Sequence, residues 1–357
     1  MHNKLFTPGP TEVRPELLNE LSHPQIHHRT DEFVELYDFL QVYLKKLLFT
    51  DNPVFIFTSS STGAMEAAVT NGVKKRCLNL VNGAFGERWH EIALMNGVPC
   101  DKMEIEWDKA IKPEMIEEQL ESGKYDAITL VFNDTSTGVL NPIKEIGELI
   151  KKYDDVLFLV DAVSAMAGTE IRIDEWGIDM CLAGLQKAFA LPAGLAVASV
   201  SERLLKRSEE VEKRSYYFSL PLMYKYHKKS QTPVTPSIPQ MIALKRQVKD
   251  IIDNEGLENR FLRHGELASC VQEWALKYFD IYPETGYWSQ TVTCIVNTRG
   301  ISVSDLNRKL VEDYNCMIAD GYGKLKNKCF RIAHMGDMTL PDIKGLLAVI
   351  NDILGLE

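Results

Sequence analysis

Between residues 50 and 200, short runs of apolar residues alternate with longer stretches that are apolar on one helical face only. The apolar runs are Val54–Thr58, Cys77–Val81, Ala127–Phe132, Val156–Val160, Met180–Ala183 and Leu195–Val200. The helix-like stretches between them are Ala64–Val73, Glu87–Met95, Pro113–Leu120, Ile143–Lys152 and Ser201–Glu212. A strand without polar alternation must be covered on both faces. The pattern therefore predicts an α/β fold, a mostly parallel sheet with helices on both faces.

The three prolines of Thr232–Pro239 mark an ordered connection, followed by a helical pattern over Gln240–Asn254. After Gly256 come a helix at Leu257–Tyr278 and strands at Thr291–Asn297, Cys316–Ala319 and Phe330–His334. That second pattern predicts a smaller C-terminal α+β domain. A length of 357 residues suits roughly two domains. We divide the chain into an N-terminal segment (1–14), a large domain (15–250) and a small domain (251–357).

The net charge of -10 leaves no basic surplus to neutralise phosphates, which argues against nucleic acid or an anionic membrane as partner. The basic stretches 74–76 and 225–229 read as solvated surface. Seven scattered cysteines form no Cys-x-x-Cys pair, so neither a metal site nor a disulfide framework is expected, and a reducing compartment fits. The start lacks an apolar run before its prolines, so no signal peptide is expected. No stretch approaches the ~20 apolar residues of a membrane span. The expectation is a cytoplasmic protein.

In open α/β sheets, ligands gather at the carboxyl ends of strands. After the first run comes Ser59-Ser60-Ser61-Thr62-Gly63, opening a helix. Free N–H groups and the helix dipole there suit an anion, although such turns also serve as ordinary caps. Asp161 follows five apolar residues, and a carboxylate at a buried strand end needs a partner; taken alone, it reads first as a carboxylate paired within its own loop. Lys187 stands after Gly184-Leu185-Gln186 and before an apolar loop with Pro192 and Gly194. Desolvation there would disfavour its charged form, as a Schiff-base lysine requires; a snorkelling surface lysine is the alternative. Together an anion cradle, a buried Asp and a desolvated Lys are the groups pyridoxal phosphate needs for its phosphate, its pyridine nitrogen and its aldehyde carbon.

At these residues the chain resembles the class V aminotransferases of fold type I, within them the alanine–glyoxylate and serine–pyruvate type. The resemblance runs through Thr7-Pro8-Gly9-Pro10-Thr11, His27-His28-Arg29-Thr30, residues 58–67, Asn82–Arg88 and Thr135–Leu140. It continues through Val160–Ser164, Gly184–Lys187 and Phe330–Gly336. It implies that Lys187 carries pyridoxal 5'-phosphate as a Schiff base and shuttles the substrate proton. Asp161 would keep the pyridine nitrogen protonated, a charge-assisted bond worth about 1.5–3 kcal/mol. Phe85 would stack on the ring with Val163 against the other face, and Thr135 would lie near the phenolic oxygen. Gly83 and Gly86 argue against a helical core position for Phe85. Ser61, Thr62 and Gln186 would hold the phosphate, joined by Thr232 and Thr235 from the other subunit of a homodimer. Arg331 would clamp the substrate α-carboxylate bidentately, and Gly9 would let the backbone approach it.

Some positions depart from the family pattern. Pro192-Ala193-Gly194 replaces a common Pro-Pro-Gly, Phe85 stands where some members have tryptophan, and Thr232 where some have tyrosine. Arg29 is either part of a helix-capping ion pair or a reader of the substrate side chain. The implied reaction moves an amino group from alanine or serine to glyoxylate or pyruvate. Alternatives are an aspartate or 2-aminoethylphosphonate aminotransferase, a pyridoxal-phosphate lyase such as a cysteine desulfurase, and a non-catalytic protein of the same fold. Gln186 favours the alanine–glyoxylate branch over the phosphonate one. Phe85 argues against a desulfurase, which usually stacks a histidine, and intact Lys187, Asp161 and Arg331 argue against a non-catalytic protein.

Overall fold

The computed structural model describes residues 2–212 and 215–357. Its large sheet has seven strands: β1 (Val54–Phe57), β2 (Cys77–Val81), β3 (Cys100–Glu104), β4 (Ala127–Val131), β5 (Leu157–Asp161), β6 (Met180–Gly184) and β7 (Ala196–Val200). Their order is β1-β7-β6-β5-β4-β2-β3, and only β7 runs antiparallel to its neighbours.

Period-two alternation sends successive residues of one strand to opposite cores. Val54 and Ile56 of β1 face one apolar cluster, with Leu78, Leu80, Ile128, Leu130, Phe158 and Val160. Phe55 and Phe57 face the other, with Ala127, Val131, Leu157 and Leu159. Helix α1 (Asp31–Leu48) covers the first face through Phe33, Leu36, Leu40 and Leu44. Helices α2 (Ser61–Gly72) and α3 (Ala84–Met95) cover the second through Ala64, Ala67, Ala68 and Trp89.

Six strands lie where the apolar runs placed them, to within a residue at each end. The edge strand β3 escaped notice because its sequence, CDKME, is half exposed and mixes charge with apolar residues. Helix α1 lies before the stretch whose periodicity was read. The predicted helix over Gln240–Asn254 is an α-helix only at Ile238–Lys249; Asp250–Glu255 widens into a π-helical turn, ending at Gly256 with φ of 82°.

The C-terminal sheet is antiparallel, with strands β8 (Asp280–Ile281), β9 (Val292–Val296), β10 (Ala319–Asp320) and β11 (Cys329–Ala333) in the order β8-β9-β11-β10. Its core, including Leu267, Val271, Ile295, Phe330 and Ile332, also takes Phe6 from the chain start. The strand expected at Cys316–Ala319 is split in two. Cys316–Met317 pairs with Lys4–Leu5, and Ala319–Asp320 pairs with β11.

Arg260, on helix α4 (Leu257–Tyr278), joins the two parts and is only 1% exposed. It donates to Ala167 O (2.7 Å) and to Ala188 O (2.6 Å), the carbonyl beside Lys187. The same guanidinium pairs with Glu255 at 2.8 Å and Asp337 at 3.3 Å. Removing one partner of a buried ion pair leaves uncompensated groups and costs about 3–5 kcal/mol. Arg260→Ala should lose stability of that order in urea unfolding, whereas Lys206→Ala, breaking an exposed pair with Glu202, should leave the midpoint in place.

Candidate active site

Ser61 and Thr62, Thr135, Asp161 with Val163, and Gln186 with Lys187 stand at or just beyond the carboxyl ends of β1, β4, β5 and β6 in turn, while Phe85 follows β2 and Arg331 comes from the C-terminal sheet. Lys187, three residues beyond β6, is buried and donates to the carbonyl of Pro8. The chain start lies directly on this lysine. A Cβ at Gly9, where φ is +130°, would stand 2.6–2.7 Å from Cε, Cδ and Nζ of Lys187, so only glycine fits. Thr11 fixes the strap, its Oγ1 donating to Lys187 O (3.0 Å) and its N–H to Gln186 O (3.1 Å). Burial lowers the Lys187 pKa to about 8; Arg331 adds repulsion, and Asp161 pulls the other way.

Asp161 ends β5 with its carboxylate accepting the Val163 N–H at 2.8 Å. Burial raises its pKa to about 7; the Val163 bond opposes the rise and the like charge of Asp134 adds to it. Val163 is half-buried beside it.

Ser61 and Thr62 form the first turn of α2, where backbone N–H groups have no intrahelical acceptor. Among the described residues the Ser60 side chain makes no cap bond, and the buried Ser61 Oγ has no hydrogen-bond partner. A Cβ at Gly184 would lie 2.3 Å from Ser61 Oγ and 2.6 Å from Gln186 Oε1. An orphaned hydroxyl, free helix N–H groups and an amide thus surround a space that a glycine keeps open. This arrangement fits a phosphate.

Phe85 corrects one expectation. It is the second residue of helix α3, so its flanking glycines do not keep it off a helix. Gly86 serves close packing instead, since a Cβ there would stand 2.9 Å from Val81 Cα and 3.0 Å from Leu80 O. The helix start is held by Asp134, a fully buried carboxylate to which the sequence reading gave no role. It accepts from Phe85 N (3.1 Å), Gly86 N (3.4 Å) and Ser136 N (2.9 Å), while Ser136 Oγ accepts from Ala84 N (3.0 Å). The signal was present, because Asp134 follows an apolar strand much as Asp161 ends one.

Arg331 lies in the central strand β11, paired with Cys294 and Ala319. Its Nε donates to Asp320 O and its Nη1 to Thr135 O, both at 3.0 Å. Thr135 thus meets Arg331 through its backbone. Nη2 has no hydrogen-bond partner among the described residues, which leaves the Nη1–Nη2 edge for a carboxylate.

Thr232 and Thr235 do not join this cluster within the chain. The Thr232 hydroxyl donates to Val234 O (2.8 Å), Thr235 is exposed, and no hydrogen bond links either to Ser61, Thr62 or Gln186 among the described residues. Of the two readings of Arg29, the capping ion pair is absent among the described residues. Its guanidinium donates to Thr232 O at 2.8 Å and lies over the Tyr226 ring at 5.2 Å, steadying the proline-framed segment.

A desolvated amine, a carboxyl group of raised proton affinity, an open guanidinium edge and a phosphate-sized cradle make a set that fits pyridoxal phosphate. The family model described as aminotransferase class-V matches residues 12–331. An uncharacterized aminotransferase of Methanocaldococcus jannaschii is 38% identical, over 97% of this chain and 91% of its own. The L-aspartate–glyoxylate aminotransferase of Paracoccus denitrificans is 32% identical (94% and 87% covered), and the serine–glyoxylate aminotransferase of Methylorubrum extorquens 31% (97% and 89%). The crystal structure of an alanine–glyoxylate aminotransferase from Nostoc sp. superposes with a TM-score of 0.94 at 26% identity, covering 99% of this chain and 96% of that one. The chain belongs to the class V aminotransferases, transaminases of the pyridoxal-phosphate fold type I that work with pyridoxal 5'-phosphate.

Proposed function

We propose that the enzyme transfers the amino group of alanine or serine to glyoxylate or pyruvate. The observation carrying this reading is the buried Lys187 amine, placed within electrostatic reach of both Asp161 and Arg331. The relatives named for glyoxylate as acceptor support the choice of 2-oxo acid. When bound, the cofactor supplies an aldehyde and an electron-accepting ring. Ser61, Thr62 and Gln186 would hold its phosphate, Phe85 and Val163 would confine its ring, and Thr135 would lie toward the phenolic oxygen. Asp161 holds a proton at the ring nitrogen. Arg331 grips the donor's α-carboxylate through its free edge, beside the Gly9 backbone, and Lys187 Nζ takes the proton from the donor's Cα.

The site is proposed to be completed by a second copy. A phosphate dianion has more acceptor lone pairs than one helix N-terminus satisfies. Thr232 and Thr235, not bonded to their own cradle, sit on a segment braced by prolines and Arg29 that suits reaching a partner's phosphate. The division into segments 1–14, 15–250 and 251–357 belongs to the same reading, supported by the separate C-terminal core. So does a cytoplasmic setting, which seven unpaired cysteines suit. No helix among the described residues is long and apolar enough to cross a membrane.

Lys187→Ala should abolish both turnover and the borohydride-reducible link to the cofactor. Retention of a reducible adduct with near-native turnover would remove Lys187 from this role. Arg331→Ala should raise the KM for amino and oxo acids at unchanged cofactor affinity.

The apoprotein gives a pH test. The folded state raises the Asp161 pKa from 3.8 to about 7. Its contribution to stability is therefore full below about pH 3.8 and lost as the pH rises through about 7. The melting temperature of the wild-type apoprotein, taken relative to Asp161→Asn, should fall across that window. A difference that stays flat would contradict the raised affinity.

Shared sites predict complementation between two inactive parents. Mixing Lys187→Ala chains with chains carrying both Thr232→Ala and Thr235→Ala creates heterodimers having one site with both lesions and one with neither. Activity should reappear on subunit exchange. Heterodimers shown to form yet remaining inactive would place the threonines in their own subunit's site or in none.

A further inference from the structure

The guanidinium of Arg331 is covered by the ring of Tyr322, whose centroid lies 5.6 Å from Cζ. The same ring packs on Phe85, with 5.7 Å between centroids and 25° between planes. Its hydroxyl accepts from Arg88 Nη2 at 3.3 Å, and the Arg88 guanidinium itself lies 4.8 Å from the Phe85 centroid. Tyr322 therefore spans from the aromatic on the cofactor side to the carboxylate clamp.

Its loop is tied down. The Asp320 carbonyl receives Arg331 Nε, while the Asp320 carboxylate accepts from Gly321 N (2.7 Å) and Asn327 N (3.0 Å). A 3-10 turn at Gly323–Leu325 buries Leu325 against Trp107, Cys294 and Cys329. The Tyr322 side chain, 39% exposed, projects from this fixed turn.

A donor held by its carboxylate at Arg331, with its amino group and Cα hydrogen toward Lys187, has one substituent left to place. That side chain departs beside the clamp, where Tyr322 lies. We propose that Tyr322, anchored by Arg88, is the wall that limits the donor side chain to one carbon, bare or carrying a hydroxyl. This rests on the transaminase reading above and on Arg331 as its clamp. Discrimination by a single methylene is worth about 10–200-fold in kcat/KM, enough for one wall to separate alanine from leucine.

The test follows the visible absorbance of the holoenzyme's cofactor during half-reactions with alanine, serine, aspartate and leucine. Tyr322→Ala should raise the leucine-to-alanine ratio of kcat/KM roughly tenfold or more, while Tyr322→Phe, which keeps the ring, should not. A merely structural role would depress all donors together and leave the ratio fixed. An unmoved ratio in Tyr322→Ala, or a wild type that prefers aspartate to alanine, overturns the wall. If the wild type converts no amino acid, the transaminase reading fails instead. Competition by propionate against 4-methylpentanoate, read from the same absorbance, then still decides whether Tyr322 limits size: weaker exclusion of the branched acid in Tyr322→Ala supports the wall, and equal exclusion overturns it.

Discussion

An amine is a nucleophile only when it can shed its proton, and the chain's own beginning lies over Lys187, whose pKa burial lowers to about 8. The strap from Pro8 to Thr11 places a carbonyl on the amine and two hydrogen bonds on the loop behind it. Gly9 is the residue on which this depends, since any side chain would occupy the space of the lysine itself. The strap is in turn anchored in the C-terminal sheet, where Lys4–Leu5 pairs with Cys316–Met317 and Phe6 fills the small core. The Lys187 amine is thus covered by a strap whose anchoring contacts lie in a different part of the fold.

Charge is arranged with the same economy. Lys187 and Asp161 are shifted first by burial, and the charges of Arg331, Arg88 and Asp134 around them then move their proton affinities further. Asp134 does more than add charge. It fixes the helix that presents Phe85, and the next residue's carbonyl positions Arg331. One buried carboxylate thereby sets the relative placement of Phe85 and Arg331, the residues proposed to stack on the ring and to clamp the carboxylate.

The large sheet was legible because its strands are buried on both faces and their apolar runs are uninterrupted. The edge strand β3 was not, because half exposure mixes polar residues into it. Lys187, Asp161 and Ser61 were singled out from position alone, each standing at or just past an apolar run, and the structure brings them to neighbouring strand ends. Arg331 emerged through resemblance, since nothing local distinguishes an arginine in a strand. Tyr322 and Asp134 were not singled out for a further reason: their roles arise from tertiary neighbours, Arg88 and Arg331 for one and the α3 terminus for the other. Gly86 misled for a related cause. A glycine inside a helix reads as a breaker, whereas here it admits the backbone of β2.

Arg331, the proposed clamp, ties the C-terminal part to the large sheet's loops. Arg331 is oriented by two carbonyls, one from Thr135 beyond β4 and one from Asp320 in β10. Neither carbonyl alone fixes a planar guanidinium, because one hydrogen bond leaves it free to rotate about that axis. Both are present only when the two parts are seated, and Arg260 does much of the seating by reaching across to the carbonyl of Ala188. The Lys187 loop is therefore fixed from the same side as the clamp. In the proposed function a donor bridging Arg331 and Lys187 would add a further link across the junction, and its binding would stabilise the seated arrangement by whatever it gains from that arrangement alone.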